Sequence, residues 1–239
     1  MVTVYTIAYN ESALIQFMID HYRSRFPDCR IILYDNMSTD NTVKIALGSD
    51  CEIIPFDTNN QMSDRRHMDI KNNCWKDAKT DWVLMCDADE LLDINEEQLK
   101  AEENSRTSII KPEAYNMVNM KDNFNIASIK YGVRDPNYDK CCLFNKKFIK
   151  EINYGAGAHK CDPIGTVAYN INTYKLYHYK LINENYTIEK LKTTVARLSP
   201  ENIKNCWLCY SLFPYQETRE IEEIRSIYAD DRKNAIKLR

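Results

Sequence analysis

The chain has 239 residues, with 32 lysines and arginines against 35 aspartates and glutamates and a formal net charge of -3. That length can bury a sizeable core as one large domain, or one domain with a small appendage, and the charge balance excludes the broad basic field of a nucleic-acid binder. No apolar run approaches the roughly 20 residues that span a bilayer, so any membrane contact would be peripheral. From the N-terminus, "VTVYTIAY" (Val2 to Tyr9) is rich in β-branched and aromatic residues and predicts a strand, and "ESALIQFMIDHYRSRF" carries Leu14, Phe17, Met18 and His21 at helical spacing. "RIILYD" predicts a second strand, followed by "STDNTVKIAL", a turn into a short helix that Ser38, Thr39 or Asp40 could cap. "CEIIPFD" is a third strand, a helix runs from about Ser63 to Lys79 with Ile70, Cys74 and Ala78 on its apolar side, and "DWVLMCD" is a fourth strand. Strands apolar on both faces and alternating with helices predict a parallel sheet covered on both sides.

After Asp93 the pattern changes. "INEEQLKAEE" predicts a short helix whose Glu96, Glu97, Glu102 and Glu103 form a solvated face, and "SIIKPEAYNMVNM", "KCCLFNKKFIKEI" and "TYKLYHYKLI" predict strands without intervening helices. An antiparallel extension of the sheet is expected from them. From Glu184 the chain reads as helical, through "ENYTIEKLKTTVARL", "PENIKNCWLCYSLF" and a last charged, uncapped stretch that suggests a natural chain continuing past Arg239. The division expected is residues 1–95, 96–183 and 184–239. Nine cysteines are an odd number, and no signal peptide precedes the first strand, so reduced thiols in a cytoplasmic setting are expected. Cys206-x-x-Cys209 lacks a second pair for zinc, and with Trp207 and Leu208 it reads as part of a helical apolar face.

Ligands of open parallel sheets bind beyond the carboxyl ends of the strands. The polar residues fall there: Tyr9-Asn10-Glu11, Asp35-Asn36, Asp57, and Asp87-Ala88-Asp89. Asp and Asn also terminate strands and cap helices, so each alone has a structural explanation; four together predict one cleft. Concentrated carboxylates need a counter-charge. Hard oxygen ligands with the Asp-x-Asp spacing suit magnesium or manganese bridged to substrate phosphates, and at a strand end Asp87 and Asp89 would share a side with small Ala88 opposite.

"TIAYNES", "LYDNMSTDNT" and "WVLMCDADELL" together resemble, in order and spacing, the nucleotide-binding half of GT-A fold glycosyltransferases of the family 2 type, over about residues 1–95. "CCLFNKKFIKEINYGAGAHKCDP" and "LYHYK" are similar to the acceptor-side loop and late metal-binding strand of small enzymes of this type, including those encoded by large algal DNA viruses. The resemblance implies an α/β GT-A fold with an antiparallel acceptor-side extension and C-terminal helices. It implies metal-dependent, inverting transfer of a sugar from a UDP-sugar to a hydroxyl of a glycan or glycoprotein. By position, Ala8, Tyr9, Asn10 and Glu11 would line base and ribose, with Asp35 on the same end and Arg65 or Arg66 approaching uracil or phosphates. Asp87 and Ala88 would meet the ribose or the metal's water, while Asp89 and His178 would hold the manganese or magnesium; the alternative for His178 read by itself is a packed strand residue. Deprotonating an acceptor hydroxyl needs a carboxylate or imidazole, for which Asp162 and His159, in a glycine-punctuated loop, are candidates, with Asp135 a rival. A nucleotidyltransferase would carry glycine and lysine in its first loop, and "AYNESA" has neither; a non-catalytic nucleotide-sugar module would have no need of an intact Asp-x-Asp.

Overall fold

The computed structural model describes residues 1–121, 125–179, 182–207 and 213–239, of which 213–221, 223 and 224 are described by backbone alone. Strand β1 (Val2–Ala8) is buried at every position. It lies between β2 (Arg30–Asp35) and β4 (Trp82–Met85), and β2 carries β3 (Glu52–Pro55) on its far side; all four run parallel. Helices α1 (Ile15–Arg25), α2 (Thr42–Gly48) and α3 (Asp64–Asn73) lie in the connections. The four carboxyl ends therefore meet one edge, as the alternating apolar pattern predicts. Antiparallel β9 (Leu143–Asn145) and β6 (Ile109–Ile110) complete this six-stranded sheet beyond β4.

The chain leaves the first sheet through a turn at Asp87–Glu90, closed by Glu90 N–H to Asp87 O at 3.0 Å, and enters a second sheet as β5 (Glu90–Asp93). That sheet has the order β13-β8-β7-β12-β5, with β7 (Glu113–Val118), β8 (Tyr131–Arg134), β12 (Lys175–His178) and β13 (Ile236–Lys237). Strand β12 is antiparallel to β5 and parallel to β7, in a register that sets His178 between Glu90 and Asn116. A hairpin of β10 (Ile149–Glu151) and β11 (Ile164–Gly165) stands apart. Helix α4 (Glu96–Asn104) is closed at its N-terminus by a capping box of Asn95 and Gln98, and α5 (Glu184–Ala196), α6 (Pro200–Lys204) and α7 (Phe213–Asn234) follow. The whole is the α/β architecture expected, a mostly parallel sheet flanked by helices. Among the described residues no helix is long and apolar enough to cross a membrane.

Several local expectations are corrected. Helix α3 ends at Asn73 rather than Lys79, its start fixed by Ser63 accepting from Arg66 N–H. None of Ser38, Thr39 and Asp40 occupies the cap of α2; Asn41 does, and Asp40 bonds the Thr42 N–H at 2.9 Å from one residue upstream. "PENIKNCWLCYSLF" yields α6 and, at Phe213, the first residue of α7 among its described residues. Cys206 is exposed at a left-handed φ of 51°, off any helix, and Cys209 lies outside the described residues. The charged C-terminal stretch leaves α7 to pair β13 with β8. Glu102, expected on a solvated face, is fully buried: its carboxylate accepts from Thr107 Oγ1, Tyr174 OH, the Ile171 N–H, and the Asn172 N–H and Nδ2.

Candidate functional site

At the carboxyl edge of the parallel strands lies a cavity of about 680 Å³, walled by strand ends on one side and by helices α3 and α5 on others. Helix α3 contributes Asp64, His67, Met68 and Lys71, the positions that 3.6 residues per turn bring to one face. Helix α5 contributes Thr187, Lys190, Leu191 and Thr194 by the same geometry, and Arg197 follows at its C-cap.

The carboxylates of the Asp-x-Asp occupy a turn, not a strand, so they diverge. Asp87 reaches Lys71 at 2.7 Å and Lys140 at 3.2 Å. Loss of solvation would raise its carboxyl, but the two ammonium groups outweigh that and hold it well below the usual carboxylate range. Lys140 also pairs with Glu90 at 2.5 Å; its burial opposes its charge, and the two carboxylates more than restore it. Asp89 points the other way, 3.5 Å from Lys190 Nζ and 3.9 Å from His178 Nε2. Lys190 is 2.9 Å from Glu11, whose carboxyl burial pushes up to about 7 despite that ammonium. The counter-charges of the acidic run are thus three lysines that sequence reasoning missed, since nothing in a chain with 32 basic residues marks which will be buried.

A polar chain fixes His178. Asn116 Nδ2 donates to Asp135 Oδ2 at 2.9 Å, which turns Asn116 Oδ1 toward His178 Nδ1, also at 2.9 Å. Nδ1 therefore carries a proton, and Nε2 lies on the side of Asp89. His159 is set similarly: its Nδ1 lies 3.1 Å from the Asn137 carbonyl, which can only accept. Desolvation of the ring and the nearby Lys140 lower His159 to about 4, so it is neutral at pH 7. Its ring rests over Gly157, where φ is +66° and an added Cβ would lie 2.5 Å from His159 Cδ2; glycine is required there on both counts. The Tyr138 ring stands 4.8 Å from that of His159 and 4.3 Å from that of His178.

The model of the family described as glycosyl transferase family 2 matches residues 3–140, more than half the chain, including β1 and the Asp87–Asp89 turn. The chain belongs to glycosyl transferase family 2. Solved structures similar to this family 2 chain include residues 1–349 of TarS from S. aureus, at 13% identity and a TM-score of 0.48 over 91% of this chain and 73% of that one. Another is the mannosyltransferase PcManGT from Pyrobaculum calidifontis in complex with GDP-Man and Mn2+, at 13% identity and a TM-score of 0.47, covering 81% and 61% of the two chains. The same TarS segment in complex with UDP-GlcNAc aligns at 13% identity and 0.43, covering 82% and 66%. No curated protein matches the sequence.

In this family 2 chain the cavity brings together Ala8, Tyr9, Asn10, Glu11, Asp87, Ala88, Asp89, Asp135, His159 and His178. Five expected residues lie elsewhere: Asp57, exposed and accepting from Asn59 N–H at 2.7 Å, and Asp35, Arg65, Arg66 and Asp162. Asp35 is buried behind the lining, with Oδ2 accepting from Ser38 N–H at 3.0 Å and Oδ1 without a partner. Arg65 projects from the opposite side of α3 to pair with Glu201 at 3.1 Å and cover the Trp207 ring at 5.4 Å; Arg66 is exposed beside it. Asp162 is exposed at the end of its loop, tied through its backbone to Ile152 and Asn153. Asn10, at a positive φ of 55°, stitches β1 to the next turn through Ser38 and Thr39.

Among the described residues no three His, Cys, Asp or Glu groups converge as a ready metal site. Asp87, with its oxygens on Lys71 and Lys140, does not fit a divalent cation. Asp89 and His178 offer a hard oxygen and an imidazole nitrogen 3.9 Å apart, a pair that suits magnesium or manganese alongside substrate oxygens once Lys190, 3.5 Å from the same Asp89 oxygen, turns away.

Proposed function

We propose that this chain transfers a sugar from a UDP-sugar to an acceptor hydroxyl with inversion, the reaction class following from its family. What carries the reading is the convergence of strand-end carboxylates, ammonium groups and two oriented imidazoles in one cavity at the carboxyl edge of a parallel sheet. The base and ribose would lie along Ala8, Tyr9 and Glu11, with Asp35 supporting that turn from behind. Asp89 and His178 would hold a manganese or magnesium ion, which when bound supplies positive charge to the departing diphosphate. Lys71 and Lys140 keep Asp87 ionised and fixed, so it can accept hydrogen bonds from a ribose or from water. His159, neutral and with Nε2 unprotonated, would take the acceptor proton in place of Asp162, which lies outside the cavity. Residues 1–95 would bind the donor, and residues 96–183 the acceptor, a glycan or glycoprotein.

The deciding experiment is a panel of UDP- and GDP-sugars with manganese, scored by thermal shift and by release of nucleotide. Stabilisation and turnover with a UDP-sugar are expected. Turnover of a GDP-sugar alone would keep the reaction and overturn the assignment of the base, while a panel that neither stabilises the protein nor is consumed would overturn the whole reading.

A further inference from the structure

Helix α5 lies beyond residue 140, where the family match ends. It nevertheless forms a cavity wall, with one cationic group at its midpoint and another at its C-cap. Lys190 lies 2.9 Å from Glu11 and 3.5 Å from Asp89, at the corner where Asp89 and His178 face each other. Arg197 is nine-tenths buried at the C-cap, its guanidinium 3.1 Å from the centroid of the Tyr9 ring. Its Nε donates to the Asn60 carbonyl and Oδ1, both at 3.1 Å, while Nη2 has no hydrogen-bond partner. A buried guanidinium N–H without a partner is costly, and it sits beside the aromatic ring and strand end expected to receive the base. Seven residues at 1.5 Å each separate the two cations by about 10 Å along the helix, comparable to the distance from the base to the terminal phosphate of an extended nucleoside diphosphate.

We propose that α5 is the second wall of the donor site: Lys190 takes the diphosphate of a nucleoside diphosphate, and Arg197 takes a carbonyl oxygen on the edge of its base. The assignment rests on the reading of the chain as a nucleotide-sugar transferase and extends the site into the C-terminal segment. In the ligand-free state Lys190 is the counter-ion of Glu11 and Asp89. On binding, its ammonium turns to the phosphates, and the released carboxylate oxygen of Asp89 becomes available to a divalent cation. Lys190 thus competes with the cation when donor is absent and cooperates with it when donor is present.

Calorimetric titration of UDP, GDP and UMP into the wild type and into Lys190→Met, Arg197→Met and Arg197→Lys, each with manganese and with chelator, tests this. Lys190→Met should weaken binding of the diphosphate by about 10- to 100-fold and that of UMP much less, the effect of losing one charge-assisted contact. Manganese titrated alone should bind Lys190→Met more tightly than wild type. Arg197→Met should weaken UDP and UMP alike, by about 10-fold; Arg197→Lys, which keeps the charge and the stem but not the planar fork, should show the same loss in a protein that still melts cooperatively. Wild-type binding with both folded variants unchanged would overturn the role of α5 and leave the transferase reading standing. A folded wild type that binds neither UDP nor GDP would overturn that reading itself, and this one with it.

Discussion

Asp89 and Asp87 are two residues apart and serve different partners, because the turn between β4 and β5 aims one at His178 and Lys190 and the other at Lys71 and Lys140. Asp89→Ala should therefore lower manganese affinity, read by titration or by the spectrum of the bound ion, with little change in melting temperature. Asp87→Ala should instead leave two buried ammonium groups short of a carboxylate and destabilise the fold. The proton acceptor is likewise separable residue by residue. His159→Ala should cut turnover by roughly 10²- to 10⁴-fold with donor affinity unchanged, the signature of a group acting on the acceptor in the transition state. Asp162→Asn should turn over normally. If His159→Ala keeps its rate and Asp135→Asn loses it, the base is the carboxylate that holds Asn116.

Helix α4 shows what one buried carboxylate does for an element. Glu102 gathers the 171–172 turn, Thr107 and Tyr174 around itself, with no cation among its partners in the described residues. Burial alone would raise its carboxyl, but these donors win and lower it to about 2. Glu102→Gln exchanges an acceptor oxygen for a donor facing other donors and should cost about 1–3 kcal/mol, measured by urea unfolding. The sequence around Glu102 gave no hint of this, since Glu103, Glu96 and Glu97 of the same helix do project outward. Helices α3 and α5 differ in legibility for a related reason. Lysines that line a cavity from an amphipathic helix look like ordinary polar-face lysines until another element covers them.

Across the whole molecule the two sheets are joined at the Asp87–Glu90 turn, and Lys140 sits beneath it, 3% exposed, between Asp87 and Glu90. Removing one partner from such a cluster leaves uncompensated buried charge. Lys140→Met should accordingly destabilise the fold by about 3–5 kcal/mol, seen as a lowered midpoint in denaturant. A pH dependence belongs to the same scale. His21 is buried with Nε2 2.8 Å from the Leu92 carbonyl, linking α1 to β5, and burial lowers it to about 4 from the usual 6.5. Between those two values the unfolded chain binds a proton that the folded chain does not, so stability is full above pH 6.5 and falls as pH drops toward 4. His21→Gln, which keeps an N–H donor and cannot titrate, should remove about 3 kcal/mol of that pH dependence. Equal slopes for wild type and variant between pH 7 and pH 4 would refute the assignment.

The parallel half of the fold and the place of the cavity at its carboxyl edge were determined by sequence alone. Runs such as "VTVYTIAY" and "RIILYD" are apolar on both faces, which only a sheet covered on both sides satisfies, and polar residues at consecutive strand ends must then meet at one edge. His178 was legible as a candidate, because a histidine in an otherwise apolar and aromatic strand stands out. The tertiary structure alone decided which charges face one another. Lys71, Lys140 and Lys190 are 69 residues and 50 residues apart in the chain, and only the packing of α3, the segment before β9 and α5 brings them to the acidic turn. The same holds for exclusions: Arg65 and Asp162 have the right chemistry at a plausible position, but the helix phase of α3 and the course of the loop after Gly157 carry them away from the cavity. Composition and periodicity constrain each element separately, whereas electrostatic pairing depends on distances between elements that no local pattern encodes.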